Sequence, residues 1–215
     1  MPDPRFEKIK DMVKGRYDGN GDPGHDFTHI LRVVASCASI GRSLNADLQT
    51  LLPAALLHDV VNVPKDHPDR TKASEQAADE AAGMLSLVGY GSDEIAKIRI
   101  IIREHNYSLG LSPSCLESAI LQDADRLDAI GAIGLMRMVT CGGRLGSKYD
   151  SADEPIPMSR TPDDKAFTID HLDVKLFKIG ETFNTEPARK EGAKRVQFMR
   201  RFVEQLESEI QVEKD

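Results

Sequence analysis

The sequence contains no tryptophan, and aromatic residues make up only 5% of its 215 positions. Base stacking and broad aromatic interfaces are therefore poor first expectations. Cysteine is scarce too. Cys37, Cys115 and Cys141 are odd in number and far apart, so they form neither a disulfide framework nor a CxxC pair. Each is expected to pack as a small apolar side chain. No run of about 18 apolar residues occurs, and the N-terminal MPDPRFEKIKDMV lacks the apolar stretch of a leader peptide. The expectation is a cytoplasmic protein with no membrane partner. A basic face is missing as well: the net charge is −7. Only Lys194, Arg195, Arg200 and Arg201 approach a basic cluster, on a stretch that also carries glutamates, which reads as a solvated helix face. Nucleic acid is not an expected partner.

What is present points to one globular chain. Hydrophobic residues are 40% and charged residues 29% of the total, and the length suits a single domain over 1–215 with a sizeable core. Apolar residues recur at helical spacing almost throughout, which predicts an all-α fold. Helices are predicted over about Pro4–Lys14, from the N-caps Asp26 or Thr28 through ILRVVASCASIGRSL, over Ala46–Asp59, over Lys72–Val88 ending at Gly89, and over Ser92–His105. A long one follows from Ser114 to Thr140, then two more over about 163–183 and 187–211. That makes about eight, with a Gly/Pro-rich loop over 141–162 before the last two. A loop of that length is more often functional than accidental, and it reads as a flap.

The chemistry lies in the histidines and their neighbours. His29 sits near the start of the second helix, in GHDFTHILRV. His58 and Asp59 are adjacent at the end of AALLHDV, and Asp125 lies inside AILQDADRLDAI. Leu121, Ala129 and Ala132 stand at i−4, i+4 and i+7 from Asp125, so this carboxylate shares a stripe with residues that should be buried, and Asp128 joins it one turn on. A buried carboxylate must be paired, hydrogen-bonded or bound to a cation. On the helix alone, an ion pair with Arg126 or Arg99 explains Asp125 as well as a metal does. The His-Asp dipeptide alone is a weak signal and reads more readily as a capping histidine and a turn aspartate. Two carboxylates beside two or three histidines shift the balance to a metal.

The whole set, with HDFTHILRV, LLHDVVNVPKDHPDR, LQDADRLDAIGAIGLMR, His171 with Lys175-Leu176, and the later Thr185, Arg189 and Arg195, resembles the HD superfamily of metal-dependent phosphohydrolases, in its small bacterial stand-alone branch. The likeness spans about 25–205, with an HD core over about 25–140 and C-terminal helices over about 163–211 packing on it. It implies one divalent ion held by His29, His58, Asp59 and Asp125. Mixed imidazole and carboxylate ligands suit Mn²⁺, Fe²⁺, Co²⁺, Ni²⁺ or Zn²⁺, and Mg²⁺ less naturally. It further implies hydrolysis of a phosphate ester or anhydride by water that the ion activates.

Asp59 is then placed to orient or deprotonate the attacking water, Lys65 to neutralise phosphate charge, and His105, as imidazolium, to donate to a phosphate oxygen or the leaving group. His25, Arg126, Asp128 and Lys175 are substrate-binding candidates, while His67 and Arg70 read as structural or at the rim. Tyr107, Phe27, Tyr149 and Phe167 are the aromatic residues placed near the mouth, with core packing as their default. Only His67 and His105 lie between the His-Asp pair and Asp125, so the doubled-histidine pattern of two-metal branches is absent and one ion is expected. The partner implied is a small phosphorylated molecule, a nucleotide first, with nucleoside triphosphate pyrophosphohydrolase as the leading activity. A monophosphate nucleotidase, a phosphodiesterase, a di-iron oxygenase and a catalytically silent nucleotide-binding module are the alternatives. Monomer and homodimer stay equally open.

Overall fold

The computed structural model describes residues 3–18, 26–61 and 72–210, and among these there is no β-strand. The chain divides into two compact units, Met1–Asp125 and Arg126–Asp215.

The first unit holds α1 (Pro4–Asp18), α2 (Phe27–Ser43), α3 (Leu48–Leu57), α4 (Ala73–Leu87), α5 (Ser92–Glu104) and most of α6 (Leu116–Asp128). Its centre is α3, which packs against α1, α2, α4 and α5. The sequence LQTLLPAALL is apolar nearly all round, as a helix enclosed by others must be, and Leu51, Leu56 and Leu57 are fully buried. Burying a side chain of that size stabilises by about 1.5–3 kcal/mol. On α2 the stripe Phe27, Ile30, Val33, Cys37 and Ile40 faces inward, and burial pushes the Cys37 thiol pKa up, so it stays protonated and serves as core. The alanines Ala73, Ala77, Ala78 and Ala81 are buried on α4 and Ile98, Ile101 and Ile102 on α5, and the two helices pack together.

The second unit holds the end of α6, α7 (Gly131–Leu145), a long loop, a 3₁₀ turn at Thr168–Asp170, a π-helical turn at Leu172–Leu176 that runs into α8 (Phe177–Ile179), and α9 (Glu186–Ile210). The α7 and α9 helices pack together.

Three expectations are corrected. The helix predicted over Ser114–Thr140 is two helices: Ile130 is extended and Gly131 has φ +76, in the left-handed region that glycine tolerates best. The apolar period does not register the break because Ala129, Ile130 and Gly131 keep the stripe apolar across it. The loop expected from 141 begins later, because Cys141-Gly142-Gly143 lies inside α7. A Cβ on Gly142 would collide with the Thr168 side chain, so this glycine permits a close approach, and the helix stops at Gly146 with φ +72. Finally, the helix expected over 163–183 is only the short 3₁₀, π and α turns above.

The loop is internally tied. Lys148 N donates to Ala166 O and Thr168 N donates to Lys148 O, closing it at its base. The Glu154 carboxylate accepts from Met158 N at 2.7 Å, from Ser159 Oγ at 2.8 Å and from the backbone N–H groups of Ser159 and Arg160.

Candidate metal centre

Five side chains of the first unit converge: His29, His58, Asp59, His105 and Asp125. Each is delivered by an ordinary local device. The Asp26 side chain caps α2 by accepting from His29 N at 2.8 Å, which fixes the first turn and puts His29 on the buried stripe at 0% exposure. His58 and Asp59 follow the last residue of α3, and His105 follows the last residue of α5. Asp125 comes from α6, one residue after the fully buried Ala124.

The imidazoles are oriented by their own helices. His58 Nδ1 lies 2.8 Å from Ala55 O, and His105 Nδ1 lies 2.7 Å from Ile102 O. Only an N–H can face a carbonyl at that distance, so Nδ1 carries the hydrogen in both rings. The same bonds satisfy last-turn carbonyls that a helix leaves without an internal partner. In His58 the bare Nε2 is therefore turned inward, buried and without a hydrogen-bond partner among the described residues. Burial lowers its pKa to about 4 against the opposing field of Asp59, so the ring is neutral, the form a metal requires.

Around it, His58 Nε2 is 3.7 Å and His29 Nε2 4.0 Å from Asp59 Oδ2, His29 Nε2 is 3.6 Å from Asp125 Oδ1, and His105 Nε2 is 3.5 Å from Asp59 Oδ1. Burial opposes the charge on Asp125, but the facing His29 and His58 prevail and hold its pKa below the usual carboxylate range. For His105 burial also opposes charge, and here the hydrogen bond and field of Asp59 prevail, raising its pKa. Both carboxylates keep an outlet, at 23% exposure for Asp59 and 27% for Asp125.

These residues fit a divalent ion. Two ligand atoms each about 2.0–2.2 Å from one ion stand no more than about 4.4 Å apart, and the pairs His29–Asp125, His58–Asp59 and His29–Asp59, at 3.6, 3.7 and 4.0 Å, lie within that reach. Two donor groups can be drawn, His29–His58–Asp125 and His58–Asp59–His105, and they share His58. A neutral imidazole whose Nδ1–H is engaged has one lone pair, so His58 can serve one ion only. The alternative pairing of Asp125 with Arg99 is not what the structure contains, since Arg99 pairs with Asp79.

The other expected site residues are placed as follows. His25, Lys65, His67 and Arg70 lie outside the described residues. Arg126, Asp128 and Lys175 belong to the second unit. There Arg126 donates to Thr182 O, Asp128 pairs with Arg137 at 3.1 Å, and Lys175 stands half-buried in the π-helical turn. His171, just before that turn, has Nδ1 2.7 Å from Asp164 Oδ2. Phe27 is buried against the Tyr17 ring and Phe167 lies under Arg160, so both are packing residues, whereas Tyr149 is exposed. Sequence reasoning missed Tyr17 and Gln122, whose hydrogen bonds brace the termini of α3 and α5. No motif marks either one. The only trace was a polar amide on the buried side of AILQDADRLDAI.

Comparison with known proteins agrees with this geometry. The HD-domain family profile matches residues 26–130, which include all five converging residues. The YpgQ protein of Bacillus subtilis is 32% identical over 191 residues, 87% of this chain and 85% of that one. Its crystal structure in complex with ADP superposes with a TM-score of 0.75 at 31% identity, covering 97% of this chain and 96% of that one. An HD-superfamily hydrolase from Bacillus thuringiensis gives a TM-score of 0.76 at 27% identity, covering 97% and 98%. Imidazoles and carboxylates that could hold a divalent ion, a matching family profile over the segment that carries them, and relatives alike along nearly their whole length lead to one assignment: this chain belongs to the HD-domain superfamily of metal-dependent phosphohydrolases.

Proposed function

We propose that the protein hydrolyses nucleotides at a single divalent ion held by His29, His58, Asp59 and Asp125, and that its reaction is release of pyrophosphate from nucleoside triphosphates. The observation that carries this reading is the buried, neutral His58 Nε2 facing a carboxylate at 3.7 Å in a cluster of acceptors. An ion held there would supply Lewis acidity to a phosphoryl oxygen and to the attacking water.

The chain's own residues supply the rest. Asp59 stands within 3.5–4.0 Å of three imidazole nitrogens and, with its side chain 23% exposed, is assigned to orient or deprotonate water. His105 holds a proton more readily beside Asp59, whose Oδ1 is 3.5 Å from its Nε2, and is assigned to donate to a phosphate oxygen or the leaving group. Lys65 and His25 are assigned to phosphate neutralisation and substrate binding on the sequence resemblance, as are Arg126, Asp128 and Lys175. The shared His58 supports one ion rather than two.

The relative YpgQ binds ADP, a ligand with two linked phosphates, and this favours a polyphosphate nucleotide over a monophosphate for the present chain. The test is a stripped protein assayed on nucleoside mono-, di- and triphosphates with Mn²⁺, Mg²⁺, Co²⁺ or Ni²⁺ restored. Orthophosphate and pyrophosphate are scored separately, beside Asp59→Ala. Ion-dependent pyrophosphate release, absent in the variant, is the expected result. Orthophosphate release from monophosphates would replace this reading with a nucleotidase.

A further inference from the structure

The helix termini that carry His58 and His105 are each gripped by one buried side chain from another helix. Tyr17 of α1, 2% exposed and stacked on Phe27, donates its hydroxyl to Leu56 O at 3.0 Å. Leu56 lies two residues before His58. Gln122 of α6, 1% exposed, donates from Nε2 to Glu104 O at 2.7 Å and to Leu111 O at 3.0 Å. Glu104 immediately precedes His105, and Leu111 closes the short segment that follows it. Both acceptors of the amide are carbonyls, so the NH₂ orientation is fixed.

These bonds complete a ledger. Of the last three α3 carbonyls, Ala55 O is taken by the His58 ring, Leu57 O by Val60 N, and Leu56 O by Tyr17. At the α5 terminus, Ile102 O is taken by the His105 ring and Glu104 O by Gln122. Buried carbonyls left without a donor cost about 1–3 kcal/mol each, so these bonds hold the two terminal turns in an arrangement that satisfies the five carbonyls named and aims both imidazoles inward.

We propose that Tyr17 and Gln122 are positioning residues of the metal centre, holding the α3 and α5 terminal turns so that His58, Asp59 and His105 meet before any ion binds. Tyr17 reaches the site from α1, outside the segment 26–130 that the family profile matches. This proposal rests on the reading of the cluster as a metal centre.

The test is Co²⁺ binding to the stripped full-length protein, followed by affinity and by visible absorption, which reports ligand geometry independently of activity. Tyr17→Phe removes one oxygen and keeps the ring, and Gln122→Met removes both donors at nearly constant volume. Ile9→Val on α1 and Ile120→Val on α6, fully buried and making neither hydrogen bond, serve as controls for a general loss of stability. Tyr17→Phe and Gln122→Met should each weaken Co²⁺ binding about 10–100-fold, the range for outer-shell partners of ligands, and alter the absorption. The controls should lower the melting temperature and leave both readouts alone. Should Gln122→Met fail to fold, Gln122→Asn, one carbon shorter and able to reach at most one carbonyl, carries the same expectation. Unchanged affinity and absorption in Tyr17→Phe and the Gln122 variant would overturn the proposal. Absence of Co²⁺ binding by the unaltered protein would overturn both it and the phosphohydrolase reading, whereas binding without hydrolysis would overturn only the latter.

Discussion

Two groups of acidic residues, one in each unit, are built in opposite ways. In the loop of the second unit the fully buried Asp170 receives both terminal nitrogens of Arg160 and the backbone N–H of Asp163 at 2.7 Å, and Glu154 is ringed by backbone donors. Every partner is a donor, and apart from the Arg160 N–H on Glu154 the contacts are no longer than the about 2.7–2.9 Å of charge-assisted hydrogen bonds. In the first unit Asp59 and Asp125 face imidazole nitrogens at 3.5–4.0 Å, and at His58 the facing nitrogen is a bare acceptor. Acceptors gathered around acceptors, and held apart, need a cation among them. The loop carboxylates already have their donors. A saturated carboxylate builds structure, and an unsaturated cluster builds a site.

The sharpest way to break this contrast is to remove a cluster charge. Asp125→Asn, nearly isosteric, should cut ion-dependent hydrolysis by at least about 1,000-fold, beyond the 10–100-fold typical of outer-shell partners. The melting temperature of the ion-free protein should fall only slightly, because the pull of the facing imidazoles on the Asp125 carboxylate is largely offset by its burial and by repulsion from Asp59. A fall of several degrees in the ion-free variant would mean that Asp125 is a structural carboxylate like Asp170.

The matching change in the loop should behave in reverse. Arg160→Met strands the buried Asp170 carboxylate with little more than the Asp163 N–H, and breaking a buried pair in this way costs about 3–5 kcal/mol. Urea unfolding should register that loss, while Co²⁺ affinity should not change, since every proposed ligand lies between His29 and Asp125. Equal loss of both would erase the distinction.

Adding the ion is a milder probe of the same difference. A ligand that binds only the folded state at 100 times its Kd stabilises by about 2.7 kcal/mol, which for a chain of this size is roughly 5–10 °C in melting temperature. Mn²⁺ should raise the melting temperature of the unaltered protein and of Arg160→Met alike, and that of Asp125→Asn hardly at all, with a chelator reversing the gain.

How much of this could be read beforehand follows from what each signal encodes. The Asp26 cap, the α2 stripe and the apolar α3 ending in His58-Asp59 are local patterns, and they placed three of the proposed ligands on the right turns. Asp125 was legible as a carboxylate on an apolar stripe, though not what it would face, because no local pattern says whether an arginine such as Arg99 or an imidazole such as His29 packs against it. The break at Ile130-Gly131 was invisible, since periodicity counts apolar residues and not φ. Tyr17 and Gln122 were invisible for a related reason: a hydrogen bond to a carbonyl far along the chain leaves no residue type at its receiving end. The loop was legible as long and glycine-rich, but not as internally tied, since Glu154 is held by backbone donors, which every sequence has.

The smallest effect expected comes from that last residue, and it tests whether saturation by backbone donors is what distinguishes the loop. The hydrogen bonds from Ser159 above all, and those from Arg160 and Met158, hold the Glu154 carboxyl down at about 2, from an ordinary value of 4.5. Because the folded pKa lies below the unfolded one, the contribution to stability is complete above about pH 4.5 and is lost as the pH falls toward 2. Glu154→Gln keeps one acceptor oxygen but turns an NH₂ toward backbone N–H groups, so it should be less stable than the unaltered protein at neutral pH. The gap should close on acidification through that window, because protonated Glu154 likewise offers one carbonyl oxygen and one donor. Unfolding of the two proteins in urea at a series of pH values checks this. A gap that stays constant with pH would mean that the carboxylate's charge plays no part and that the loop is held by shape alone.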